Sequence, residues 1–228
     1  MRRRWALLMM TAVFAIAVAP PPSFLLVQAQ AQSPADESKR RAAELDARFI
    51  ELKAAKSDAE AEPIVGEIWT LWLQSGRGDV DQLMGEAMRV MQRGGQQLAL
   101  SMLDEVVKRA PDYAEGWNRR ATLLYFMGEY ERSKADCDEV LKREPRHFGA
   151  LAGMGLIGIA QSDFKAALAA YRRAVAVNPF LKDRDQVIAA LIRHGAAEEL
   201  GPLDEAWGDY VRRHSLGPES ARELKGPP

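Results

Sequence analysis

The sequence contains a single cysteine, Cys137, and only three histidines among its 228 residues. One thiol cannot pair within the chain, so we expect no internal disulfide. The histidines are His147, His194 and His214, and none has a cysteine or acidic partner at the spacing of a metal site. We therefore expect no metal centre and no cofactor.

Motifs that carry catalysis are also missing. The sequence has no glycine-rich phosphate loop and no serine nucleophile motif. Cys137 is flanked by Asp136 and Asp138, whose negative charges oppose the thiolate that a catalytic cysteine requires. A free cysteine more often serves as a small buried apolar residue, and we assign Cys137 to that role. We predict that the protein has no catalytic residue and is not an enzyme.

The chain lacks an excess of either charge. Its 31 basic and 32 acidic residues give a net charge of −1, and without the first 31 residues, which contain three Arg and no acid, the charge is −4. Proteins that bind nucleic acid need a basic stripe along the phosphate backbone. We therefore exclude nucleic acid as the expected partner.

No apolar run approaches the roughly 20 residues of a transmembrane helix. The run Trp5–Ala19 follows Met-Arg-Arg-Arg and ends at three prolines. A basic start, an apolar centre and alternating small residues are typical of a secretory signal, which we predict over residues 1–31, with cleavage after Ala31 or after Ala29. The expected location is periplasmic. The alternative is an uncleaved segment that anchors the protein in the inner membrane.

A repeat of 34 residues organises the middle of the chain. Its clearest markers are three equally spaced prolines: Pro111, Pro145 and Pro179. We predict three repeat units: 80–111, 114–145 and 148–179. A period of this length indicates a solenoid built from copies of one supersecondary unit.

Each unit reads as a pair of helices. In the middle unit Trp117 and Ala121 lie four residues apart, on one face of a first helix. Gly128 permits a tight turn, Tyr130 opens a second helical face and Pro145 ends it. One such hairpin leaves a face uncovered, so about three units must stack to bury a continuous core.

These markers resemble those of the tetratricopeptide repeat family. The residues that carry the resemblance are Trp117, Ala121, Gly128, Tyr130 and Pro145 in the second unit, and Gly155, Phe164, Ala167, Tyr171 and Pro179 in the third. Arg120 departs from the pattern, which usually has Leu there. The resemblance implies an all-α fold, a right-handed α-solenoid of antiparallel helical hairpins, and a general role in binding other proteins.

The repeats have flanking segments on both sides. Residues 32–37 read as a polar linker and 38–76 as an atypical helical hairpin that caps the start of the solenoid. Residues 181–195 read as a capping helix. The polar tail 196–228 contains a possible short helix from Leu203 to His214.

In the family that the repeats resemble, the first helices line a concave groove. When the three repeats are aligned with that family, nine residues of this chain fall at the outward-pointing positions. They are Met84, Met88, Met91, Asn118, Thr122, Tyr125, Ala152, Leu156 and Ile159. This mostly apolar, Met-containing surface suits a peptide or protein partner. Family members that clamp a C-terminal carboxylate use Lys, Arg and Asn at such positions, and only Asn118 and Arg119 qualify here.

Two hypotheses follow for the function. The first is a non-enzymatic scaffold of the cell envelope that binds a partner protein or peptide in the groove. The alternative is a structural protein that associates with further copies of itself, with the groove filled by its own helix around residues 203–211.

Overall fold

The computed structural model describes residues 34–182 and 184–193, and the predicted segments 1–31 and 196–228 lie outside these ranges. The described residues form helices and no strands, which confirms the all-α helical repeat fold. The helices are α1 (Pro34–Ala54), α2 (Asp58–Trp72), α3 (Gly78–Gln92), α4 (Gln96–Arg109), α5 (Ala114–Phe126), α6 (Tyr130–Arg143), α7 (Phe148–Ala160), α8 (Phe164–Val177) and α9 (Arg184–Arg193).

The turn between the two helices of each repeat has the same hydrogen bonding in all three copies. The backbone N–H of Glu129 donates to the carbonyl of Leu124 at 2.9 Å, and Gly128 between them has φ +78°. The same bond recurs one repeat earlier and one later, with Gly94 (φ +81°) and Ser162 (φ +60°) at the left-handed position. This is the Schellman C-cap. Serine in this conformation carries a strain of about 1–2 kcal/mol that glycine avoids.

Small residues let the two helices of a repeat approach each other closely. Ser133 Oγ donates to a backbone carbonyl of α5 at 2.7 Å. In the third repeat glycine makes the same approach possible, because a Cβ at Gly158 would lie 2.9 Å from the backbone nitrogen of Ala167. A Cβ at Gly155 would overlap the ring of Tyr171. These two glycines of α7 therefore set the distance between α7 and α8.

Substitution of Gly158 by alanine tests this close approach. We expect Gly158→Ala to lower the free energy of unfolding by about 1–3 kcal/mol, because the new methyl group meets backbone that cannot move aside. Gly66→Ala in α2 is the matched control, since no atom lies within 4 Å of its Cβ position. The control should raise the free energy of unfolding by about 0.5–1 kcal/mol. Urea denaturation followed by circular dichroism measures both, and equal effects would contradict the close approach.

Arg120, the departure from the family pattern, joins three helices. Its Nε and Nη2 donate to both oxygens of the buried Asp136 in α6 at 2.7 and 2.8 Å, and its Nη1 donates to Asp104 in α4 at 2.7 Å. The guanidinium groups of Arg120 and Arg143 also lie 5.0 and 4.9 Å from the ring centroid of Trp117. The contact between the first two repeats is thus partly ionic at a position where the family usually has Leu.

The Arg120–Asp136 pair gives a second prediction. Arg120→Leu should lower the free energy of unfolding by about 3 kcal/mol, because it leaves the carboxylate of Asp136 buried and unpaired. The double variant Arg120→Leu/Asp136→Leu should recover a large part of that loss, since it removes both charges. Asp104→Asn, at the exposed end of the network, should change stability by less than about 1 kcal/mol. A double variant no more stable than Arg120→Leu would show that the buried charge is not the cause.

The N-terminal hairpin, α1 with α2, does not cap the start of the repeats as predicted. Its buried apolar residues form a cluster with Phe148, at the start of α7, and with Val177, Phe180 and Leu181, which end or follow α8. Among the described residues, this cluster includes none from α3 or α4. The predicted linker 32–37 is also partly wrong, because α1 already begins at Pro34.

The hairpin instead lies along the turns that join one repeat to the next. Three polar contacts mark its course. They are Tyr113 Oη to the Leu73 carbonyl (2.8 Å), Arg146 Nη1 to Asp46 (2.7 Å) and Arg184 Nη1 to Asp58 (2.9 Å).

Aromatic packing explains this placement of the hairpin. The ring centroid of Trp72 lies 5.2 Å from that of Trp69, 6.0 Å from that of Phe49 and 4.9 Å from that of Phe148. Together these rings fill the space at the start of α7.

Helix α9 follows the third repeat and packs on α8. Ile188 and Leu191 are buried in one cluster with Leu168 and Tyr171. Its apolar side thus covers the surface that a further repeat would otherwise bury. Within the described ranges, no helix is both long enough and apolar enough to span a bilayer.

Candidate functional site

The predicted groove is the surface formed by the first helices of the repeats, α3, α5 and α7. The N-terminal hairpin covers the end of this surface at which α5 and α7 begin. The ring of Trp69 packs edge-on against His147 and Phe148, with centroids 5.6 and 5.4 Å apart, and Arg119 lies 5.7 Å from the same ring. Trp72 stacks on His147 at 4.0 Å. Here the chain covers its own groove with α2, whereas the segment predicted to fill it, 203–211, lies outside the described residues.

A buried carboxylate, Glu115, connects the polar side chains beneath the hairpin. Its side chain is fully buried, pairs with Arg119 Nε at 2.5 Å and accepts a hydrogen bond from Asn118 Nδ2 at 2.9 Å. His147 Nδ1 accepts the backbone N–H of Ala150 at 3.1 Å, which leaves the proton on Nε2. That nitrogen donates to Glu115 across 3.0 Å.

This network involves both residues that could have clamped a partner's C-terminal carboxylate. Asn118, expected to point outward, is only 6% exposed, and its amide is bound to Glu115. Arg119 pairs with the same carboxylate. Both candidates for recognising a partner's C-terminal carboxylate are thus engaged within the chain.

Beyond the hairpin, the described residues leave part of the groove surface uncovered. A cavity of about 330 Å³ lies between α5, α6 and α7. Four of the nine predicted groove residues line it: Asn118, Thr122, Tyr125 and Leu156. The other lining residues are Ala121, Phe126, Ser133, Cys137, Gly149 and Gly153. The lining contains no Asp, Glu, Lys or Arg, and its rim exposes 67% of Phe126 and 38% of Leu156.

The other five predicted groove residues do not line this cavity. Met84 is only 3% exposed and packs in the core shared by the first two repeats, so the prediction that it points outward is wrong. Met88 and Met91 are partly buried against the same core. Ala152 and Ile159 pack against the cluster formed by α8 and α9. Repeat register identified one face of each helix, but neighbouring helices cover parts of that face.

Six residues that line the open cavity were not predicted to belong to the groove, and helical spacing in the sequence could have indicated three of them. Phe126 follows Thr122 by four residues and therefore lies on the same helix face. Gly149 and Gly153 are related by the same spacing in α7. The spacing was visible in the sequence, but glycines have no side chain to mark a surface.

Cys137 forms part of the cavity wall without the properties of a reactive thiol. It is 2% exposed, and burial, followed by the charges of Asp136 and Asp138, raises its pKa to about 12. A reactive cysteine needs a lowered pKa and an electropositive, accessible setting. In the described part of the chain, no three His, Cys, Asp or Glu residues are grouped so that they could hold a metal ion.

The raised pKa predicts slow alkylation of Cys137. A shift from 9 to about 12 reduces the thiolate fraction at pH 8 about a thousandfold. Iodoacetamide should therefore modify the folded protein at least a thousandfold more slowly than the protein in guanidinium chloride, as measured by mass spectrometry. The rate should rise with pH up to about 12 if the fold persists. Comparable rates in the folded and unfolded protein would contradict this account of the site.

Residues 114–147 match the family model of the tetratricopeptide repeat. This part of the chain is thus similar to the tetratricopeptide repeat. The match covers α5 and α6 with the turns at either end, the unit in which Trp117, Gly128 and Pro145 carried the resemblance.

A relative and two solved structures extend the comparison beyond this unit. A TPR repeat-containing protein of Rhizobium etli is 40% identical over 135 residues, which are 59% of this chain and 66% of that protein. The Sgt2 TPR domain from Aspergillus fumigatus is 19% identical and covers 57% of this chain and 89% of its own, with a TM-score of 0.50. The MamA protein is 14% identical and covers 83% of this chain and 100% of its own, also with a TM-score of 0.50. At these identities the two structures show a shared fold alone.

Proposed function

We propose that the protein is an exported, non-enzymatic scaffold that binds an apolar segment of a partner protein in the open cavity between α5 and α7. The observation that carries this proposal is the uncharged cavity with Phe126 and Leu156 exposed at its rim. Exposed apolar surface beside a cavity is costly in water and marks interaction sites. Tetratricopeptide repeats generally act as scaffolds for protein–protein interaction.

The hairpin restricts where a partner binds. Since Trp69 and Trp72 cover the starting ends of α5 and α7, the partner binds the part of the groove beyond Gly149. A partner that depends on a carboxylate clamp is disfavoured, because Asn118 and Arg119 are bound to Glu115. Apolar contacts are then the main source of affinity.

The predicted signal over residues 1–31 supports export, so we propose that the partner is a protein of the cell envelope. Self-association is the competing function. Its support is the same exposed apolar rim, which would also suit a second copy of the chain.

Site-specific photocrosslinking tests the proposed binding site. Benzoylphenylalanine replaces Phe126, which is 67% exposed, and in a control replaces Leu98, which is 60% exposed on α4 outside the groove. We expect crosslinks to one other envelope protein from position 126 but not from position 98. Leu156→Glu should abolish them, because a charge at the rim would have to be desolvated.

Mass spectrometry and a binding measurement distinguish the outcomes. The captured protein should bind the purified scaffold, and Leu98→Glu should not weaken that binding. Crosslinks from position 126 only to the protein's own chain would favour self-association or internal filling. Identical crosslinking from positions 126 and 98 would exclude the groove as the binding site.

A further inference from the structure

The contact between Trp69 and Gly149 shows how this surface accommodates an aromatic ring. A Cβ at position 149 would lie 2.6 Å from Cη2 of Trp69. Glycine is therefore required for the indole to lie against the α7 backbone. Glycine lowers the stability of a helix relative to alanine, and the ring contact offsets this loss.

Gly153 lies one helical turn further on, and no ring of a described residue comes within 4 Å of its Cβ position. It lies on the same face of α7 as Gly149, and both glycines line the open cavity. A Cβ at Gly153 would meet only Cys137 Sγ, at an ordinary distance of 3.7 Å. At both glycines, therefore, no side chain shields the backbone of α7. Described residues of the chain cover this backbone at Gly149 but not at Gly153.

The surroundings of Gly153 suit an aromatic side chain. Tyr125 and Phe126 line the same cavity, with ring centroids 5.6 Å apart and planes inclined by 72°. Aromatic pairs prefer centroid separations of about 4.5–7 Å in tilted or edge-on arrangements. A further ring over Gly153 would have aromatic neighbours, as Trp69 has over Gly149.

The electrostatics exclude a charged ligand residue. The cavity lining contains no ionisable side chain other than Tyr125 and Cys137. The buried carboxylate of Glu115 pairs with the partly exposed Arg119 at 2.5 Å, so neither of these two charges is an unpaired counter-charge for a ligand. Placing an unpaired charge in such a cavity is unfavourable, because the charge loses its hydration without gaining a partner.

From these observations we infer that Gly153 is the contact site for an aromatic side chain of the partner. This side chain belongs to an uncharged stretch of peptide. This peptide binds as a continuation of the α2 contact: Trp69 occupies the Gly149 position from within the chain, and the partner's ring occupies the next turn. The inference rests on the proposed function, and it names the chemistry of the partner.

A library of random dodecapeptides displayed on phage, selected on the purified protein, provides the probe. Selected sequences should be enriched in Trp, Phe or Tyr and depleted in charged residues beside it. Synthetic peptides from the selection should lose about thirtyfold in affinity when the aromatic residue is replaced by alanine, the loss typical of a central anchor residue. Isothermal titration calorimetry measures the affinities.

A side chain introduced at Gly153 tests the contact site directly. Gly153→Leu should weaken peptide binding about thirtyfold, because its side chain takes the place of the ligand ring. Gly85→Leu is the matched control: it lies two repeat lengths earlier in α3, and its Cβ position meets only Arg89 Nη1 at 3.7 Å. The control should change the affinity less than twofold. Gly153→Ala is a milder variant. Its methyl group would make only an ordinary contact with Cys137 Sγ at 3.7 Å, so we expect it to fold and to lose less affinity than Gly153→Leu.

The outcomes separate this inference from the proposed function. Peptides whose binding is lost in Leu156→Glu, but which contain no required aromatic residue or bind Gly153→Leu and Gly153→Ala normally, would overturn the inference and leave the groove function standing. A selection without any peptide sensitive to Leu156→Glu would overturn both. An aromatic requirement that disappears in the Gly153 variants alone would establish the inference.

Discussion

The close approach of paired helices is the constraint on which the repeats depend. Ser133 in α6 and the glycines of α7 bring two helices near enough for backbone and side chain to touch directly. The Schellman turns then fix the direction in which the second helix returns. Because each hairpin is narrow and uniform, successive hairpins stack in register and present their first helices on one surface.

The N-terminal hairpin follows a different packing rule, and this difference defines the site. Its large aromatic residues fill the space where α5 and α7 begin. There they cover a polar network centred on Glu115, whose carboxylate binds Asn118 and His147 and pairs with Arg119. The hairpin thus removes the polar part of the groove from solvent, and the accessible remainder is apolar. Recognition at this surface accordingly depends on shape and apolar contact more than on charge.

Glycine has two separate roles in α7. Gly155 and Gly158 face α8 and set the helix spacing, so their cost to helix propensity is offset by packing. Gly149 and Gly153 face the groove. The indole of Trp69 lies against Gly149, whereas among the described residues only Cys137 Sγ comes within 4 Å of a Cβ position at Gly153. A helix with glycines on two faces is locally weak, but its neighbours α6, α8 and α9 hold it on several sides. The groove can therefore expose bare helix backbone without loss of the fold.

The sequence by itself determined the repeat architecture, because Pro111, Pro145 and Pro179 and the turn residue Gly128 act through local backbone geometry. It also indicated Thr122, Tyr125 and Leu156 as residues of one surface, since helical periodicity is a local property. Only the tertiary structure decided that Met84 is covered by the neighbouring repeat, that Arg120 pairs with Asp136 and that α2 covers the start of the groove. Residues far apart in the chain make these contacts, and their placement depends on the shapes that meet there. Periodicity indicates which face of a helix is apolar, but only packing determines which neighbour covers it.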